Sequence, residues 1–91
     1  MTVEELKEIA SDLVTKYKEY LAECLGTTIG DLKHLTEKLS NEDQELLLYC
    51  QNRAESEMWR WANENWGWNV GRETWKKLSD LFEEMRKELG Y

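Results

Sequence analysis

Three kinds of side chain in this 91-residue sequence could carry chemistry: one histidine, two cysteines and 19 carboxylates. A metal centre needs three or four convergent ligands. Around His34 the spacing offers only Asp31 and Glu37, three residues to either side on one helical face. His34 is therefore expected at the surface, without a metal. A cysteine–histidine nucleophile would have to pair His34 with Cys24 or Cys50. Both cysteines fall where the apolar period of a helix expects core residues, without basic neighbours to lower a thiol pKa. Packed, reduced thiols are the expectation, with a single bridge between them as the alternative. Acidic pairs are too numerous to be diagnostic, and no calcium-loop pattern or glycine-rich phosphate loop is present. Without a nucleophile, a base or a cofactor motif, no enzyme and no cofactor are expected.

Two other features carry more information. Taking 100° per residue and Leu6 as zero, Glu5, Glu8, Asp12, Glu19 and Glu23 fall between roughly 200° and 260° around the opening helix. This acidic stripe points away from the apolar positions. As a functional element it would steer the chain onto a basic surface; as a structural one it is a solvated helix face. The second feature is a cluster of five tryptophans within 17 positions: Trp59, Trp61, Trp66, Trp68 and Trp75. Trp61 and Trp75 follow the core period. Trp59 and Trp66 lie one heptad apart on a shoulder, and Trp68 sits in the segment Gly67-Trp68-Asn69-Val70-Gly71. Either a further helix packs on that shoulder, or Trp59, Trp66 and Trp68 form a contact surface of the kind that supplies binding hot spots.

Four helices would position these residues. Thr2-Val3-Glu4-Glu5 reads as a capping box, and apolar residues at spacings of three or one run from Val3 to Cys24 before Gly26. The first helix is thus placed at 2–25. A short second helix at 28–39 has Thr28 as its cap and Ile29, Leu32, Leu35 and Leu39 inside. Ser40 or Asn41 would cap a third at 41–66, with Leu47, Cys50, Ala54, Met58, Trp61, Ala62 and Asn65 on its core stripe. A fourth at 71–89 carries Trp75, Leu78, Phe82, Met85 and Leu89, and Gly90 ends it. The fold class is all-α: a small single-domain antiparallel helical bundle spanning 1–91.

Charge narrows the partner. Eleven acidic and five basic side chains fall in residues 1–50, against eight and seven in residues 51–91, for a net charge of −7. Such a balance disfavours direct nucleic-acid binding, which needs cations to neutralise phosphates. Arg53, Arg60 and Arg72 near the tryptophans are offset by Glu55, Glu57, Glu64 and Glu73. Helix-turn-helix recognition fits poorly as well, because Glu42, Asp43 and Glu45 would face the DNA. No apolar run is long enough to cross a membrane, and Met1 to Leu6 does not read as a signal peptide. A soluble cytoplasmic protein is expected.

In size, acidity and aromatic content the chain resembles the small acidic proteins that phages use against bacterial defences, among them DNA mimics and CRISPR inhibitors. The likeness is one of composition, without a shared motif. The resulting expectation is a non-catalytic module that occludes a basic, for instance nucleic-acid-holding, surface of a larger protein. Glu5, Glu8, Asp12, Glu19 and Glu23 would steer it there, and Trp59, Trp66 and Trp68 would anchor it. The alternative is an assembly protein: a homodimer or larger bundle joined through its tryptophan-rich face.

Overall fold

Thr2 starts the first helix, α1 (Val3–Leu25), from extended backbone, and its hydroxyl accepts a hydrogen bond from the Glu5 amide at 3.2 Å. Only half of the capping box forms. The Glu5 carboxylate accepts a hydrogen bond from the Thr2 hydroxyl at 3.1 Å instead of reaching back to a backbone amide. At the other end Gly26 adopts φ 68°, a left-handed conformation that an L side chain resists. Its amide bonds to Glu23 O at 3.2 Å and the Thr27 amide to Ala22 O at 2.9 Å. Together these form a Schellman termination, which satisfies carbonyls the helix leaves free.

The computed structural model describes residues 2–66 and 71–91. Among them there are three further α-helices: α2 (Leu32–Glu42), α3 (Gln44–Asn65) and α4 (Arg72–Leu89), with one 3₁₀ turn at Ile29–Asp31 before α2. No strand occurs among these residues. The all-α fold is as expected, but the α2–α3 boundary lies later than expected. Ser40 and Asn41 do not cap α3. They lie inside α2, where the Ser40 hydroxyl and the Asn41 amide donate back to Glu37 O at 2.7 and 3.2 Å. Both side chains are thus turned back onto α2 and are not available to cap α3. Asp43 is the cap, and its carboxylate accepts from the Leu46 amide at 3.2 Å.

The start of the second helix differs too. Thr28 precedes a 3₁₀ turn and its hydroxyl donates to the Asp31 carboxylate at 3.2 Å, capping no amide. Because three residues per turn replace 3.6 here, Ile29 rotates off the inner face and is 45% exposed. Leu32 is fully buried, Leu35 and Leu39 are half-buried, and Thr36 takes an inner position instead. The Thr36 hydroxyl can be buried because it donates to Lys33 O at 3.0 Å.

Packing follows the size of the facing side chains. Along α3, Cys50, Ala54, Met58 and Ala62 recur every fourth residue and are buried against Ala10, Leu13, Tyr17 and Leu21 of α1. The two helices run antiparallel, since Cys24 meets Cys50 and Lys16 meets Trp61. α4 contributes Leu78 and Phe82 to the same core. It meets α3 through long side chains: Trp59 lies edge-on to Trp75 and Phe82, at centroid distances of 5.5 and 5.8 Å. Arg86 on α4 bonds the Glu55 carboxylate at 3.2 Å, again in antiparallel register. Each fully buried leucine, methionine or phenylalanine contributes about 1.5–3 kcal/mol of apolar burial. Val3, by contrast, is the first residue of α1 and is 67% exposed.

Tyr17 sits at the centre of this arrangement with no exposure, its ring edge-on to Phe82 at 5.6 Å. The guanidinium of Arg86 lies 5.4 Å from the centre of the same ring. Among the described residues the Tyr17 hydroxyl has no hydrogen-bond partner of good geometry. Burial pushes its phenol above the ordinary tyrosine range, against the opposing charge of Arg86.

Candidate functional site

A long acidic face follows directly from the helical period of α1. Its inner side is taken by Leu6, Ala10, Leu13, Val14, Tyr17 and Leu21, so the residues opposite are left to water. Glu5, Glu8, Asp12, Glu19 and Glu23 are all exposed there. At 1.5 Å per residue this ridge is about 27 Å long. Glu19 is held by Lys16 at 3.2 Å and Glu5 by the Thr2 hydroxyl. Among the described residues, Glu8, Asp12 and Glu23 form no ion pair.

Of the three tryptophans expected at a contact surface, Trp68 lies outside the described residues. Trp59 and Trp66 do not form the exposed stripe that a heptad spacing suggests. Trp59 is half-buried between α3 and α4 on Trp75 and Phe82, so a further helix does pack on its side of α3. Trp66 lies one residue past the end of α3, with φ −116°. The helical period no longer governs its direction, and its ring turns edge-on to Trp61 at 4.9 Å. Trp61 itself, expected in the core, is half-buried at the molecular edge, as is Trp75.

This displacement of Trp61 brings the aromatic and acidic features together. The Lys16 ammonium lies 5.0 Å from the centre of the Trp61 ring and at the same time holds Glu19. The acidic ridge is thereby joined, through one lysine, to the Trp61–Trp66 pair. In the sequence Lys16 is only a cation three residues before Glu19. Its aromatic partner comes from another helix, so no wheel drawn on α1 could reveal it. Two clefts flank the junction. One of about 230 Å³ is lined by Tyr20, Glu57, Arg60, Trp61 and Glu64. Another of about 370 Å³ is lined by Tyr20, Glu23, Cys24, Tyr49, Arg53 and Glu57. On the far side of α3, Trp59 and Trp75 line an open, largely apolar cleft of about 360 Å³ with Arg72, Lys76 and Ser79.

His34 is exposed on α2. Among the described residues, no three histidine, cysteine or acidic side chains converge as metal ligands. No described helix is long and apolar enough to cross a membrane. The cysteines do meet, Sγ to Sγ at 2.7 Å, with Cys50 buried and Cys24 half-buried. Contrary to expectation Cys50 has a basic neighbour, Arg53, one turn further along α3. No protein-family model matches the chain, no curated protein matches it, and no solved structure matches it.

Proposed function

We propose that this protein is a non-catalytic binding module that docks its acidic ridge on a basic surface of a larger protein and occludes it. The observation that supports this reading is the continuity of the ridge with the Trp61–Trp66 pair through Lys16. Unpaired carboxylates on a rigid helix steer an approaching cationic surface, and an adjoining indole pair offers apolar area for its anchoring. The anchor in this proposal is Trp66 with Trp61. Trp59 supports the fold from the other side of α3. A basic surface of this kind is one that holds nucleic acid, in which case the ridge competes with phosphates for the same cations, as an inhibitor that mimics DNA would. The setting proposed is intracellular, where nucleic-acid-binding proteins are abundant.

The protein and its Glu8→Lys, Asp12→Lys, Glu19→Lys triple variant, used as paired baits in lysate at low and high salt, test this. Proteins that bind the unaltered chain, are lost at high salt and are missed by the variant support the proposal. Retention of the same proteins by both baits removes the ridge from the account. A homo-oligomer, the alternative reading, would instead show in light scattering as a concentration-dependent mass with no partner.

A further inference from the structure

Antiparallel packing of α1 on α3 places the end of one helix beside the second turn of the other. Cys24 and Cys50, the only cysteines in the chain, face each other there. Their sulfurs are 2.7 Å apart. Non-bonded carbon atoms rest at about 3.5–4.0 Å, and sulfur is larger than carbon. The thiols are thus closer than ordinary packing would put them. A disulfide bond, at about 2.05 Å, is one short displacement away. Both backbones are helical at these positions. The two residues are also unequal in access. Cys24 lines the 370 Å³ cleft beside Tyr20, Tyr49 and Arg53, whereas Cys50 is 1% exposed.

We propose that Cys24 and Cys50 form a dithiol oxidation site, closed to an intrachain disulfide between α1 and α3 by small disulfides such as oxidised glutathione. Access sets the order of steps. The Cys24 thiol loses its proton and attacks one sulfur of oxidised glutathione, releasing a glutathione thiolate and leaving a mixed disulfide on Cys24. Cys50 then loses its proton to solvent and attacks the Cys24 sulfur, expelling the second glutathione thiolate. The two protein thiols give up two electrons and two protons, and one oxidised glutathione becomes two reduced ones. Burial, with the Cys24 hydrogen bond adding to it and Arg53 opposing, pushes the Cys50 thiol up to about 11. The second step accordingly quickens as pH rises. The closed loop, residues 24–50, contains α2, so the bond ties α2 into the α1–α3 pair and restricts the unfolded chain.

The test uses the intact, reduced protein incubated with oxidised glutathione, acid-quenched, unfolded and treated with a maleimide before intact-mass measurement. The expected product is a monomer lacking two hydrogens, with neither cysteine alkylated. Its melting temperature is expected to be higher by on the order of 10 °C, and dithiothreitol should abolish the difference. Cys24→Ser should yield neither the product nor the shift. Stable glutathione adducts, disulfide-linked dimers or two alkylated cysteines as the main product would overturn the proposal. So would a bond that leaves the melting temperature unchanged or lowered, because the native geometry would then not be the one closed.

Discussion

Lys16 on α1 stands over the ring of Trp61 on α3, its ammonium 5.0 Å from the ring centre and 32% of its side chain exposed. One cation thus serves both an indole and the Glu19 carboxylate. Lys16→Met keeps the apolar stem and removes the charge. The expected loss is about 0.5–1 kcal/mol of stability in urea denaturation, with a changed tryptophan fluorescence from Trp61. A loss several times larger would mean that the stem's packing, rather than its charge, holds α1 to the edge of α3.

Trp59 and Trp66 should separate cleanly on truncation. Trp59 fills the space between α3 and α4 and touches two aromatic rings, so Trp59→Ala is expected to cost about 3 kcal/mol or more. Trp66 sits past the helix end and packs on one ring. Trp66→Ala should cost about 1 kcal/mol, while weakening the proposed partner. Thermal melts of the two variants decide this, and a reversed ranking would put Trp66 in the core.

The boundary between α2 and α3 supplies a second comparison. Asp43 accepts from the Leu46 amide, so Asp43→Ala should lower stability by about 1 kcal/mol. The Ser40 hydroxyl donates to a carbonyl that already accepts a helical bond, and Ser40→Ala is expected to change stability by less than about 0.5 kcal/mol. Denaturant midpoints at constant slope measure both.

Alkaline pH should destabilise the fold in two stages. The Cys50 thiol, whose ordinary value is 9.0, is held protonated to about 11. In the unfolded chain it ionises at the ordinary value, so the unfolded state binds fewer protons across that window and stability falls as pH rises through it. Tyr17 is raised from 10.0, chiefly by burial, and adds a similar loss beginning above that pH. Tyr17→Phe removes its share. It also removes a buried hydroxyl without a partner of good geometry among the described residues, so the variant should match or exceed the parent at neutral pH by about 1 kcal/mol. Urea titrations at successive pH values provide the check.

How legible these features were depended on whether one helix contained the cause. The whole of α1 could be read from Thr2, Glu5, the apolar period and Gly26, because each acts within a turn of its neighbour. The exposed acidic ridge followed from the same period. Ser40 and Asn41 misled because their types suit a cap, while the Glu37 carbonyl one turn back competes for the same side chains. Trp66 misled because the helix stops at Asn65 and the period stops with it. Lys16 over Trp61 and Cys24 against Cys50 depend on how α1 lies against α3, which no single-helix pattern encodes.

Association kinetics with a captured partner test the proposed docking most directly. The rate constant would be measured across ionic strength for the unaltered protein and for the Glu8→Lys, Asp12→Lys, Glu19→Lys variant. For the unaltered protein it is expected to fall about tenfold or more as salt rises past the point where the Debye length is about 8 Å. The variant should associate at least about tenfold more slowly at low salt, with little or inverted salt dependence. Equal rates and equal salt dependence for the two proteins would contradict the docking role of the ridge.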